Sequence, residues 1–468
     1  MTEMPSPSRP TIYLDYSATT PLAPEVREAM RPYLEERWGN ASSTHKMGSD
    51  AREGVEVARR KVAKLLGCEP EEIVFTSGGT ESDSLAILGA AFAARAAGRG
   101  NHVVSAVTEH KAVLEAVRFL ERDGFETTLL GVNSLGVVEL ADFTAALRPE
   151  TVLVSIMLGN NETGVFQPNI QELAALCRAK GVLFHCDAVQ AVGRIPVSIK
   201  LLGVDLLSIS GHKIHAPKGV GALYVRQGVT LSPPQAGGGQ EDGRRGGTEN
   251  VAGIVGLGVA ADLARSGFSQ RANQEKAQRN RLWQSLSERL PGLSINGGKA
   301  SRMPHILSVA IPGANAQKLV ATLSSETGVC CAAGSACSSD GEGQPKASHV
   351  LMAMGLGEEV ARGSLRFSLG RYTTEREIDE AIELVAPVIA RETGLPLTIP
   401  KKKKTPPPPP KKPGQPPIPA KKPGQPPIPA KKPGAPPVAT KKPVLPGKKV
   451  APSPSVFLQA GPPAPKKK

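Results

Sequence analysis

No CxxC pair occurs among the six cysteines, at positions 68, 177, 186, 330, 331 and 337, and no Cys/His spacing suits zinc. A resident metal is therefore not expected. No run of about 18 apolar residues occurs, so no membrane span is expected. The first ten residues, MTEMPSPSRP, lack the apolar core of a secretory signal. Free thiols without an export signal predict a reducing, cytoplasmic setting. Acidic residues and arginine are missing altogether from Lys401 onward, where 17 Lys and 23 of the chain's 43 Pro are found. The net charge of +14 therefore belongs to this tail, and residues 1–400 are left close to neutral, at about −3. A neutral body argues against a nucleic-acid-binding enzyme domain.

The tail repeats a ten-residue unit, KKPGQPPIPA twice and then KKPGAPPVAT. Its proline density favours extended polyproline II, and the repeat has no aromatic residue around which to build a core. Residues 399–468 are expected to be disordered. The PxxP spacing and the lysine pairs suit aromatic grooves or acidic surfaces.

The body is different. Between residues 50 and 260, short β-rich runs alternate with helical patterns. The runs are EEIVFT (71–76), HVVSAV (102–107), ETTLLG (126–131), TVLVSIM (151–157), GVLFHCD (181–187), VDLLSIS (204–210) and VGALYV (220–225). This alternation predicts an α/β domain with a mostly parallel sheet. VGALYV follows its predecessor too closely for a helical crossover and is expected to pair antiparallel. After residue 265 a second, smaller α/β pattern runs to 398. The expected division is an N-terminal segment (1–20) packing with the small domain, a large domain (21–264), a small domain (265–398) and the tail.

Several strand ends carry chemistry. In FTSGGTES (75–82) a strand ends at two glycines and a helix begins, which suits either a phosphate or an ordinary capped turn. Neither the Walker lysine nor GxGxxG is present. GVLFHCD delivers Asp187 to the end of a strand, where open α/β sheets bind ligands. VDLLSIS leads to Ser210-Gly211-His212-Lys213. A carboxylate facing a pyridinium nitrogen, an imine-forming lysine and a phosphate cup together describe a pyridoxal phosphate site. His110, just past another strand, suits ring stacking or proton transfer. Arg366 lies inside the apolar run GSLRFSLG (363–370) and requires an anion, either a substrate carboxylate or a structural partner. Cys337 sits among small polar residues in CCAAGSACSSDGEGQP (330–345), as a reachable nucleophile or a spare thiol. Cys330 and Cys331 are expected to be buried.

These residues and their order resemble the cysteine desulfurase family, the pyridoxal-phosphate enzymes of aminotransferase class V. The resemblance runs from IYLDYSATTPL (12–22) through SGGTES, TEHKAV, NNETG, HCDAVQAVG, SGHKIHAPKG, GGGQEDGRRGGTEN and GSACSS to LRFSLGRYTT, roughly residues 11–395. It implies the fold of type I pyridoxal-phosphate enzymes and a homodimer. By the same resemblance, Lys213 bonds the cofactor aldehyde, Asp187 pairs with the ring nitrogen, Gln190 bonds the ring hydroxyl and His110 stacks on the ring. Gly79, Thr80, Ser210 and His212 hold the phosphate. Thr248 reaches the partner subunit's cofactor, and Asn161 positions cofactor and substrate. Arg366, with Asn40, binds the substrate carboxylate.

The implied reaction converts L-cysteine to L-alanine. Cys337 takes the sulfur as a persulfide and passes it to an acceptor such as an iron–sulfur scaffold protein. Transient ligation of a cluster by Cys337 is a further implication. Two departures stand out. Ala41 occupies a position where the family usually has Pro. The run after Cys337, SSDGEGQPKASHV, is long and polar, similar to the loop of selenocysteine lyases. Selenocysteine lyase activity is therefore the second reading, and a non-catalytic interaction protein acting through its tail is the third.

Overall fold

A computed structural model describes residues 10–334 and 347–399 of the chain. Cys337 and the tail from residue 400 lie outside the described residues.

The strands, in chain order, are β1 (Ile12–Tyr13), β2 (Ile73–Thr76), β3 (His102–Ala106), β4 (Glu126–Leu130), β5 (Thr151–Ser155), β6 (Leu183–Asp187), β7 (Leu206–Ser210), β8 (Gly221–Val225), β9 (Ser294–Ile295), β10 (Ile306–Ala310), β11 (Val329–Cys330), β12 (Ala332–Ala333) and β13 (Ser364–Ser368). Strands β2 to β8 form one sheet in the order β2-β8-β7-β6-β5-β3-β4. All its pairings are parallel except those of β8, which runs antiparallel to both β2 and β7. The short link before β8 explains that exception, as expected from the sequence.

Both faces of this sheet are covered. Successive residues of one strand enter different apolar clusters: Val103, Leu153 and Leu206 pack on one side, Val104, Val154 and Leu207 on the other. This is why the strands read as continuous aliphatic runs rather than as alternating ones. The first face packs on the helices Gly79–Ala96 and Lys111–Arg122, the second on Lys46–Leu66, Ile170–Ala179 and Val251–Arg265.

A second sheet, antiparallel throughout, has the order β12-β13-β10-β9. It packs on the helices Phe268–Arg289 and Glu375–Thr393 around Leu307, Phe367, Leu282 and Val385. Ile12 and Leu14 join this cluster, and β1 pairs in parallel with β11. The chain then crosses from β1 to the end of β13, where Asp15 bridges Ser368 and the Ser17 N–H donates to Ser368 Oγ at 2.8 Å. Residues 15–20 thereby form a strap that continues to the C-terminal end of β7, where the Thr20 N–H donates to the His212 carbonyl at 2.9 Å.

Candidate active site

Parallel strands present their last residues, and the loops beyond them, to one edge of a sheet. Here that edge opens into a cavity of about 350 Å³ lined by Gly79, Thr80, His110, Asn161, Asp187, Gln190, Ser210, His212, Lys213 and Arg366. Ten residues singled out from the sequence thus converge on one cavity. Three do not. Asn40 is exposed, with Oδ1 accepting from the Ser42 N–H within its own loop at 2.8 Å. Thr248 is also exposed and outside the cavity lining, and Cys337 lies outside the described residues.

One end of the cavity suits a phosphate. Gly78 (φ 156°, ψ −175°) occupies backbone space that is essentially glycine's alone, and it launches the helix Gly79–Ala96. A Cβ on Gly79 would stand 2.9 Å from Val189 Cγ2 and 3.5 Å from Ser210 Cβ, so glycine keeps the cradle open. Ser210 Oγ is buried there without a hydrogen-bond partner. An unpaired buried hydroxyl beside a helix N-terminus fits a phosphate oxygen.

Deeper in, three carboxyl groups meet. Asp187 Oδ1 accepts from the Val189 N–H at 2.8 Å. Burial pushes the Asp187 carboxyl up to about 6, while the Val189 N–H and Lys213 pull it down. Burial drives Asp83 well above the usual carboxylate range, and repulsion from Asp187 adds to it. Burial does the same to Glu109. Burial thus weighs against the charge of all three, and Asp187 alone has a cation, Lys213, among the groups that favour its ionised form. His185 beneath them is held by Ser155 Oγ (2.8 Å) and Ser208 Oγ (2.9 Å), and burial lowers it to about 3, so it stays neutral. A buried carboxylate in this setting suits a protonated pyridine nitrogen as counter-charge.

Lys213 ends the single helical turn after β7. Its Nζ donates to the carbonyls of Ser17 (2.5 Å) and Ala18 (3.0 Å). Gln190 Nε2 donates to the same Ser17 carbonyl at 2.9 Å. His212 is lowered to about 4 by burial and by the neighbouring Lys213 and Lys218 charges. His110 caps the helix Lys111–Arg122, its Nδ1 accepting from the Ala112 N–H at 3.1 Å. His110 is exposed and lines the cavity. Burial, and then the Lys213 charge, lowers its basicity. The neutral ring therefore carries its proton on Nε2. Phosphate cradle, acidic seat and amine together accommodate pyridoxal phosphate.

Arg366, in β13, is buried. Its Nη1 donates to the Asn161 carbonyl (2.8 Å) and its Nη2 to Asp15 Oδ1 (2.7 Å). The sequence left a structural partner open, and Asp15 is that partner. Sequence reasoning missed Asp15, Ser17, Asp83, Glu109, Ser348 and His349, all of which line the cavity. A signal existed for the first two, since both lie in the IYLDYSATTPL segment. Cys331 is buried as expected, whereas Cys330 is only half-buried at the end of β11.

The aminotransferase class-V profile matches residues 12–381. Cysteine desulfurase IscS of Dictyoglomus turgidum is 44% identical over 380 residues, covering 81% of this chain and 95% of that protein. Cysteine desulfurase IscS of Anaeromyxobacter dehalogenans is 48% identical over 376 residues, covering 80% and 91%. A solved NifS-like protein superposes with a TM-score of 0.75 at 37% identity, over 82% of this chain and all of that one. A structure described as SspA in complex with cysteine gives 0.68 at 35% identity, over 77% and 99%. The cradle, the acidic seat and the lysine thus sit in a chain similar to these enzymes from end to end of their length, and it belongs to the aminotransferase class-V family, among the pyridoxal-phosphate-dependent cysteine desulfurases.

Proposed function

We propose that this cavity removes sulfur from L-cysteine, releases L-alanine and leaves the sulfur as a persulfide on Cys337. The observation that carries the reading is the convergence of Lys213, Asp187 and the Gly79–Ser210 cradle on one cavity that Arg366 also lines. Lys213 bonds the cofactor aldehyde, Gly79, Thr80, Ser210 and His212 hold its phosphate, and Asp187, Gln190, Asn161 and His110 seat its ring. Bound there, pyridoxal phosphate supplies an electron sink for negative charge at the substrate Cα. The chain's residues do the rest. Arg366 fixes the substrate carboxylate. The Lys213 amine, once released, accepts the proton from Cα and can return it. The Cys337 thiolate attacks the substrate Sγ. The Cβ–Sγ bond breaks, its electron pair stays with the three-carbon fragment, and protonation of that fragment gives alanine. Asp187, held by the Val189 N–H, would face the ring nitrogen and favour its protonated form.

The purified holoenzyme is expected to be yellow, and Lys213→Ala to lose that absorbance. Cys337→Ala is expected to retain the colour but to produce no persulfide from cysteine. Undiminished sulfur release by Cys337→Ala would overturn the reading. Alanine and chalcogen release measured side by side from cysteine and selenocysteine decides between desulfurase and selenocysteine lyase. A colourless holoenzyme preparation would favour the interaction-protein reading instead.

Sulfur acceptance by an iron–sulfur scaffold protein, a homodimer in which Thr248 reaches the partner's cofactor, and a cytoplasmic setting belong to the same proposal. So does the division into large (21–264) and small (265–398) domains. No single helix among the described residues is long and apolar enough to cross a membrane. The Lys/Pro-rich tail is proposed to contact acidic or aromatic-groove partners. Deleting residues 401–468 should leave cysteine turnover intact and weaken partner binding in a salt-sensitive way.

A further inference from the structure

We infer that Asp15 is a built-in competitor for the substrate carboxylate, occupying part of the Arg366 guanidinium until substrate displaces it. The inference rests on the reading of Arg366 as the carboxylate handle.

The geometry is specific. A guanidinium binds a carboxylate best along one edge, through two parallel N–H donors. The Nε/Nη2 edge of Arg366 is only half used: Nη2 donates to Asp15 Oδ1 at 2.7 Å, while Nε is buried with no hydrogen-bond partner. Nη1 is engaged elsewhere, by the Asn161 carbonyl. A structural ion pair in a finished core would satisfy both donors of the edge, because a buried unpaired N–H is costly. The vacant Nε marks the edge as incomplete. A ligand carboxylate taking Nε and Nη2 together must displace Asp15 from Nη2 or share that donor with it.

Asp15 is placed to yield. Both partners line the cavity. The Asp15 side chain is 19% exposed against 8% for Arg366, so the acid has the route to water. The backbone around Asp15 is anchored independently of its carboxylate. Asp15 bridges Ser368, and its carbonyl accepts from the Ala18 N–H (3.0 Å) and the Tyr13 hydroxyl (3.0 Å). The side chain can swing away while the strap stays in place. The same strap holds Lys213 through the Ser17 and Ala18 carbonyls. In the cofactor-free chain the strap thus engages two of the cationic side chains that line the cavity, Lys213 and Arg366. A ligand with a carboxylate pays for displacing Asp15; an amine without one does not. The competitor lowers affinity by the fraction of time it holds the guanidinium.

The test is calorimetric binding of L-alanine and of ethylamine, its counterpart without the carboxylate, to the holoenzyme. Asp15→Asn keeps the shape and removes the charge. It is expected to bind L-alanine about tenfold more tightly than the parent, to leave ethylamine affinity unchanged, and to lower KM for cysteine without lowering kcat. Asp15→Ser must shift alanine affinity in the same direction. Unchanged or weaker alanine binding by both variants would overturn the inference. Arg366→Gln separates the two claims. Weakened alanine binding by that variant keeps the carboxylate handle even if Asp15 fails. Unchanged binding removes the handle and the competitor together.

Discussion

Lys213 Nζ donates to the carbonyl of Ser17, a residue 196 positions earlier in the chain. The contact ties the Lys213 amine to the N-terminal strap rather than to its own sheet. Further bonds reinforce the tie. Thr20 Oγ1 donates to the His212 carbonyl at 2.9 Å and accepts from the His215 N–H at 2.9 Å. His215 Nδ1 donates to the Pro21 carbonyl at 3.0 Å. His215 sits at φ 72°, a region most side chains avoid, so its turn depends on these bonds.

Thr20→Val keeps the shape but strips both hydroxyl bonds. The buried His215 N–H is left without its partner, at a cost of roughly 1–3 kcal/mol. Urea unfolding of the holoenzyme should show that loss, and Thr20→Ser should restore most of it. Equal stability of the Val and Ser variants would mean that the strap is not held by this hydroxyl.

The raised Asp187 carboxyl predicts a specific pH dependence for the cofactor-stripped protein. Its folded value is about 6, above the unfolded value near 4. Between those two values the folded chain binds more protons than the unfolded one, so stability falls as pH rises from about 4 to about 6. Above 6 both states are ionised and the loss is complete. A shift of this size corresponds to about 3 kcal/mol. Asp187→Asn keeps an oxygen for the Val189 N–H and removes the ionisation. The stripped variant should be the more stable protein at pH 8 and should show a shallower decline between pH 4 and 6. Cofactor binding should reverse the order, because a pyridinium stabilises the carboxylate. Parallel pH profiles for the two stripped proteins would refute the assignment.

What the sequence revealed followed from local pattern. Asp187, Ser210 and Lys213 could be found because an aliphatic run announces a buried strand, and the residue ending that run falls at the sheet's edge. The antiparallel β8 was legible from a short link. Asp15 as the partner of Arg366 was not, because the two are 351 positions apart and no periodicity connects them. Nor was the helix Val251–Arg265, VAGIVGLGVAADLAR, which is apolar nearly all round and has no polar face to mark its period. Its glycines serve close packing: a Cβ on Gly258 would stand 2.6 Å from Ala58 Cα. Helices buried on every side hide from amphipathic reasoning. Asp83 and Glu109 were passed over because carboxyl groups are ordinarily exposed, and only the fold reveals that they are buried together.

The glycine-rich loop that carries Thr248 is pinned by a buried ion pair. Arg59 Nη1 and Nη2 donate to the two Glu241 oxygens, each at 2.8 Å, and the Phe75 N–H donates to Oε2 at 2.8 Å. The guanidinium lies 4.8 Å from the centre of the Phe75 ring. Glu241→Gln removes the buried counter-charge and leaves Arg59 only the more exposed Glu56, at 3.2 Å, so it should cost about 3 kcal/mol in urea unfolding. Pairing Arg59→Met with Glu241→Leu should recover only part of that, because neither charge then remains buried but the Phe75 N–H loses its acceptor. If the double variant is as unstable as the single one, the loop is held by something other than this pair.

Gly79→Ala tests the phosphate cradle. The new methyl would stand 2.9 Å from Val189 Cγ2 and 3.5 Å from Ser210 Cβ, in the mouth of the phosphate cradle. The position is the first residue of a long helix, where alanine is well tolerated and costs the unfolded chain less entropy than glycine. The close approach to Val189 offsets that gain, so the stripped variant should lose about 1–3 kcal/mol and still fold. Pyridoxal phosphate affinity, followed by absorbance on reconstitution, should fall by tenfold or more, because the cradle must open by several tenths of an ångström before the phosphate can approach the backbone N–H groups. Pyridoxal without its phosphate should bind both proteins alike. Equal loss for the two cofactor forms would locate the clash on the ring and move the phosphate away from Gly79.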